Sequence, residues 1–447
     1  MSLFALFFIL VYMLGILLCI VRGSIFGLYT YIFTYYFNPS GQWWGYQLPE
    51  IAYLFIIAVI TIFSIVMSGA RNKISFFPNK ETKIFIIFTI FVWLQYFLVL
   101  DTNLHAFYME LCIKFYLIMF IIQNTIKTQK DYIVFIIINL LGTSYYGFQG
   151  IGLGLLENLG APGLEGSNAV AQHFGVILLL SSFLLLHPFG KKIFLLLPFI
   201  ALTLNGVILA ESRAAVASLF GIGIILLFFI NKGSKKKLYV YGILAVISIF
   251  TLMGEALLDK FSTMLPGSSN NVVSENEQDR SAESRLIILK AQWDMFRENP
   301  VFGIGHKGTL LLSPYYIPVE YMNSAKTIDG VTTARRASHN TLFTLLVDHG
   351  SIGTVLYMLI YYLCFIKIFG LKRKETGTNE QELNKVLVLA LVGALLFLLV
   401  TGMGSNNNIL EIHIWLFALI PLVYKFYKNS YLVEGDRADD ISDAKLF

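Results

Sequence analysis

Pro49–Ser68, PEIAYLFIIAVITIFSIVMS, carries one charged residue, Glu50, in its whole length. About 20 apolar residues in a helix cross the hydrocarbon core of a bilayer. Backbone groups in lipid must satisfy one another, which a run of this kind does as a helix; a barrel strand would alternate apolar and polar residues. Ile84–Leu100, Ile193–Ala210, Ala214–Ile230 and Val386–Val400 read the same way. Ser2–Val21 has no basic start and no small-residue cleavage site, so it reads as a first retained helix and not as a signal peptide. Gly23–Phe37 is short and aromatic-rich, and either spans or lies partly in the interface. Of the 447 residues 56% are hydrophobic and 14% charged, against roughly 25% charged in soluble domains. The expected fold is an all-α polytopic transmembrane helix bundle of about 12–13 spans.

Charge placement orients the bundle. Lysine and arginine gather in short loops, at Arg71, Lys73, Lys80 and Lys83, at Lys127 and Lys130, and at Lys191 and Lys192. They recur at Lys232 and Lys235–Lys237 and at Lys367 and Lys372–Lys374. The positive-inside rule places these loops in the cytoplasm and leaves 101–105, 150–168, 210–213, 259–339 and 402–408 outside. The net charge of +5 is spent on topology, and no nucleic-acid partner is expected. Cys19, Cys112 and Cys364 stand alone in apolar segments, without the spacing of a disulfide framework or a zinc site.

The chain divides into an N-terminal bundle (1–258), a large extracytoplasmic loop (259–339), C-terminal spans (340–427) and a tail (428–447) that reads as solvated and disordered on the cytoplasmic side. Unstructured connections as long as the loop are usually functional or disordered. Its first third, through Ser281, reads as mobile. From Ser284 to Asn299, however, Leu286, Leu289, Trp293 and Phe296 recur at three- and four-residue steps, predicting an amphipathic helix at the outer membrane surface that Pro300 stops.

Outward arginines run against the positive-inside rule, and they stand at junctions: Arg213 in Glu211-Ser-Arg-Ala-Ala, Arg285 at the start of the amphipathic helix, and Arg335 and Arg336 before His339. Nine acids balance nine bases over 259–338, so the loop as a whole is no anion trap. His339 and Asn340 are followed, nine residues on, by Gly350 and then Gly353; a histidine titrates near neutrality, which suits a general base. Gly303-Ile-Gly-His-Lys-Gly308 matches a nucleotide-loop pattern but follows a helix and lacks βαβ context, which argues against a nucleotide site. Glu110 and Lys114, one turn apart, predict an ion pair.

In this order, Glu211-Ser-Arg-Ala-Ala, Ser284-Arg285, Trp293, Asn299-Pro-Val-Phe-Gly-Ile-Gly305 and Ser338-His-Asn340 with Gly350 and Gly353 resemble the O-antigen ligase and polymerase superfamily of membrane glycosyltransferases. Tyr35–Gly45 resembles, more loosely, the N-terminal part of exosortase-associated O-glycosylation ligases. The resemblance implies a multi-pass protein of the bacterial cytoplasmic membrane with its site facing outward. It implies an undecaprenyl-diphosphate-linked glycan donor and a glycan, lipid or protein acceptor. His339 would be the catalytic base and Arg213 and Arg285 would hold the diphosphate, with Arg336, Arg335, Asn340 and Arg297 binding substrate. Transfer would be inverting, with no metal and no cofactor. A repeat-unit polymerase is the alternative within the class; a lipid-linked glycan flippase or polysaccharide exporter is the alternative outside it.

Overall fold

The computed structural model describes residues 1–68, 74–153, 164, 166–185, 195–229, 243, 272–322, 327–328, 331–332, 335–371, 379–406 and 408–443. The domain boundary at 258, the first part of the loop, and Arg71, Lys73, Lys191, Lys192, Lys232, Lys235–Lys237 and Lys372–Lys374 lie outside the described residues. The helices are α1 (Leu3–Val21), α2 (Ser24–Tyr36), α3 (Tyr53–Ser68), α4 (Lys80–Gln95), α5 (Thr102–Thr125), α6 (Gln129–Leu153) and α7 (Ser167–Leu184). They continue with α8 (Leu197–Leu209), α9 (Arg213–Leu227), α10 (Val272–Glu298), α11 (Gly308–Tyr316), α12 (Thr341–Phe365), α13 (Asn379–Thr401) and α14 (Glu411–Asp443). One two-residue antiparallel ladder pairs Thr327 with Thr332 and Ile328 with Val331. The protein is an all-α polytopic bundle. Seven of its described helices are long and apolar enough to cross a membrane, and α3, α8 and α9 are shorter apolar helices.

Burial ranks the spans. The apolar window of α13 is 78% buried and that of α1 only 28%, so α13 is central and α1 peripheral. Around α13 pack α7, α9 and α14. Without a hydrophobic drive between helices in lipid, close backbone approach supplies packing. At the α6–α8 crossing a Cβ on Gly147 would meet the Leu202 carbonyl oxygen at 1.8 Å. Gly23–Phe37 resolves as α2, a helix with buried Tyr31, Tyr35 and Tyr36, packed on α1 and α3. The predicted Glu110–Lys114 pair forms at 2.6 Å on an exposed flank of α5. All three cysteines are buried and free.

Two expectations change. The tail expected from Lys428 is helical as far as Asp443, because α14 meets no proline after Pro421. The helix expected at Ser284–Asn299 is longer than that and buries a different stripe. Ile288, Ala291 and Met295 of α10 pack with Ile304, Ile317, Met322 and Val347, whereas Leu286 is 68% and Trp293 47% exposed. Both stripes have helical period, and the small apolar cluster supplied by the neighbouring loop and α12 selects the second.

That cluster is held by a break in α12. Gly350 (φ 61, ψ −167) leaves the helical region, freeing carbonyls and amides on either side. Ile304 N donates to Val347 O (3.0 Å) and Gly305 N to Asp348 O (2.9 Å), while Ser351 N donates to Pro300 O (2.8 Å). The glycine loop expected not to bind a nucleotide is a cradle for a side chain of the same protein. Lys307 N and Gly308 N each donate to the buried Asp348 carboxylate at 2.9 Å. Successive N–H groups in a loop that alternates positive and negative φ make such an anion-binding concavity, and Gly303, Gly305 and Lys307 have φ of 71°, 97° and 61°. Gln95 of α4 ties the knot from the third side, donating to Phe302 O and Asp348 O at 2.5 and 2.6 Å and pairing with His349 Nδ1 at 2.9 Å. His306, 3.7 Å from Asp348 and stacked on Tyr108, is pushed down to about 3 by burial and then by Lys307 and His105.

Candidate functional site

The segment 335–340 arrives at the head of α12, and each of its residues is held by a different partner. Arg336 N donates to Ser313 Oγ of α11 (2.9 Å), and its Nη2 reaches Ser284 Oγ of α10 (3.3 Å). Ser338 Oγ accepts from Gln292 Nε2 (2.8 Å), Asn340 N (3.2 Å) and Thr344 Oγ1 (2.6 Å). Asn340 is the N-cap of α12, its Oδ1 accepting from Phe343 N at 3.1 Å. An N-cap oxygen of this kind satisfies one of the orphan amides of a first turn.

His339 lies between these two fixed points, half-buried. Burial, then the Arg336 and Arg285 guanidiniums, hold its imidazole below the ordinary histidine value. It is therefore neutral at physiological pH and able to accept a proton. Arg285 from α10 and Arg336 from its own segment are therefore near enough for their charges to act on the imidazole. Arg335 is exposed beside them. Arg297 is exposed too, but twelve residues beyond Arg285 on the same helix, about 18 Å along its axis. The structure does not bring Arg297 to this cluster.

Arg213 reaches the same end of the bundle through the turn that follows α13. Thr341 N donates to Gly402 O (2.7 Å), Asn340 Nδ2 to Met403 O (3.1 Å) and Thr341 Oγ1 to Ser405 O (3.0 Å). On its other flank the turn meets α9, where Ala214 Cβ would lie 3.9 Å from a Cβ on Gly404. Arg213 opens α9 behind the N-cap Ser212, whose hydroxyl accepts from Ala215 N (3.4 Å) and donates to Asn168 Oδ1 of α7 (2.8 Å). Gln172, one turn further along α7, donates to Ser405 Oγ at 2.5 Å. Turn 401–405 thus joins the heads of α7, α9 and α12. Below Thr341 a shallow apolar cleft lined by Leu345, Tyr357, Met358, Leu398 and Met403 runs between α12 and α13.

Three contributors had no part in the sequence reading: Gln292, Asp348 and the 401–405 turn. Two had a signal. Gln292 interrupts the Ile288–Ala291–Met295 stripe with an amide, and Asp348 is an acid inside an apolar helix, where a charge is a functional suspect by default. The turn had none, since its part is made by main-chain oxygens.

No curated protein matches the chain. Residues 198–358 match the family model described as O-antigen ligase, a span that runs from the start of α8 through Arg213, Arg285 and His339 to Gly353. Over that span, which is less than half of the chain, the protein is similar to the O-antigen ligase family.

Proposed function

We propose that the protein transfers a glycan from undecaprenyl diphosphate to an acceptor hydroxyl at the outer face of a bacterial cytoplasmic membrane, without a metal. The observation that carries this reading is the neutral, half-buried His339 with Arg285 and Arg336 beside it, at the head of a span and above an apolar cleft. In this reading an isoprenoid tail would follow the apolar side chains between α12 and α13, and the guanidiniums would take the diphosphate. Arginine binds phosphate through a planar fork and stays charged.

In the reaction the acceptor oxygen forms a bond to the anomeric carbon from the face opposite the leaving group, and its proton passes to the His339 imidazole. The bond from that carbon to the diphosphate oxygen breaks, and both electrons leave with the lipid diphosphate. Arg213, Arg285 and Arg336 offset the charge that develops there, the type of fixed stabilisation that contributes most in a water-poor site. Inversion follows from the single displacement. Asn340, committed to the α12 cap and to Met403 O, orients the histidine. Arg335 is placed to meet the glycan at the exposed rim.

The test is transfer from purified undecaprenyl-diphosphate glycan in detergent with EDTA, comparing wild type with His339→Ala. Loss of a general base costs about a hundredfold or more, so product from wild type alone is the expected result. Single additions indicate ligation and ladders indicate polymerisation. Equal product from His339→Ala, or none from wild type alongside donor translocation into vesicles, overturns the reading. Arg213→Lys preserves charge and removes the fork; turnover should fall about a hundredfold. Wild-type turnover in that variant would remove Arg213 from the diphosphate site.

A further inference from the structure

α10 buries two polar residues on the side it turns to segment 335–340. Ser284 and Gln292 are eight residues apart, about 12 Å along the helix. Ser284 receives the Arg336 guanidinium at 3.3 Å and Gln292 donates to Ser338 at 2.8 Å, so segment 336–338 lies along the helix with the arginine stretched back towards its start. Gln292 is fully buried and also donates to Thr309 Oγ1 of α11 at 3.1 Å. An apolar side chain would pack this stripe, beside Ile288, Ala291 and Met295, without removing an amide from water. The amide instead directs two donors at two different elements, one of them the residue immediately before His339.

We propose that Gln292 is a positioning residue for His339: by fixing Ser338 to α10 it sets where the imidazole stands relative to Arg285 and Arg336. Arg285 is carried seven residues before Gln292 on that same helix, so one rigid element supplies both a cation and the tether of the base. Ser338 transmits the constraint because its hydroxyl is fully engaged, accepting from Gln292, Asn340 and Thr344 and lying 3.1 Å from Asn340 O, to which it donates. Among the described residues, the charges that act on His339 are those of Arg336 from its own segment and Arg285 from α10. Releasing Ser338 lets the imidazole move away from both and into water, so its titration returns towards the ordinary histidine value. The kinetic half of the inference rests on the transferase reading; the titration half does not.

The experiment uses the full chain in lipid nanodiscs with ¹³C-labelled histidine, the His339 resonance being assigned by its loss in His339→Gln. Gln292→Leu removes the amide and keeps the packing; Ser338→Ala removes the same bond from the other side. Both should raise the His339 midpoint by about half a pH unit or more. Both should also lower kcat about tenfold or more, with the donor KM within about twofold, as a small misplacement of a catalytic group does. Leu286→Ala, on the exposed stripe, should change neither. If Gln292→Leu and Ser338→Ala, each monodisperse, leave the midpoint at its wild-type value, the proposal is overturned, and any fall in kcat is then a packing effect. A shifted midpoint in variants of a protein whose wild type transfers no glycan leaves the positioning role standing and removes the transferase reading.

Discussion

Gly350→Ala should unfasten α10 and the loop that follows it from the bundle. At φ 61 and ψ −167 the residue occupies a backbone region that is in effect closed to any side chain. Space is closed as well: a Cβ there would meet Val301 O at 2.4 Å and Gly303 N at 2.6 Å. Neither neighbour is the far end of a flexible side chain, so the strain cannot be relieved by a rotamer change. Backbone strain and overpacking together should cost about 3 kcal/mol or more. Relief requires α12 to straighten, which takes Val347 O and Asp348 O away from Ile304 N and Gly305 N. The measurement is thermal unfolding together with limited trypsin digestion of the 290–307 region, whose Lys290, Arg297 and Lys307 are cleavage points. Gly221→Ala is the comparison, since nothing lies within 4 Å of its Cβ and its φ is ordinary. Equal melting and equal digestion of the two variants would show that the kink at Gly350 is not required.

Asp348 predicts a graded series. Its two oxygens accept from Lys307 N and Gly308 N in a fully buried site. Asp348→Ala leaves those donors without a partner inside the protein, and each buried orphan costs about 1–3 kcal/mol, so a loss of about 2–6 kcal/mol is expected. Asp348→Asn keeps one accepting oxygen but turns an NH₂ towards the other donor, and should fall between alanine and wild type. The glycine loop would then lose its hold on α12, and with it the small apolar cluster that seats α10. Melting curves in nanodiscs test the order. An alanine variant as stable as wild type would mean that the cradle is filled by water at no cost, and the loop's role as an anchor would have to be abandoned. Because α10 carries Arg285 and Gln292, both variants should also reduce transfer without any change to a group that touches substrate.

These two positions show why a familiar glycine pattern misleads when read alone. Gly303–Gly308 has the conformational freedom of a phosphate-binding loop, and it does bind an anion, but the anion is the carboxylate of Asp348. A pattern reports what backbone shape is available; which group fills it depends on what the tertiary fold brings there. The amphipathic helix teaches the same lesson. Leu286, Leu289, Trp293 and Phe296 form one valid apolar face and Ile288, Ala291 and Met295 another. Periodicity ranks them equally, and the docking of Ile304, Ile317 and Val347 decides between them.

The sequence by itself determined the class of the molecule: long apolar runs must be helices in lipid, whatever surrounds them, because the backbone has no other partner there. It also determined the ordered appearance of Arg213, Arg285, Arg336 and His339 near helix ends, and the breaks that Gly350 and Pro300 impose, since those follow from local chemistry. The tertiary structure alone decided that the charges of Arg285 and Arg336 act on His339 while Arg297 stands about 18 Å along the helix from Arg285. It decided that Gln292 bonds Ser338, the residue before the histidine, and that turn 401–405 joins α9 to α12 through main-chain oxygens. Such contacts link residues tens to hundreds of positions apart, and a carbonyl oxygen is the same in every residue type. No local pattern encodes them.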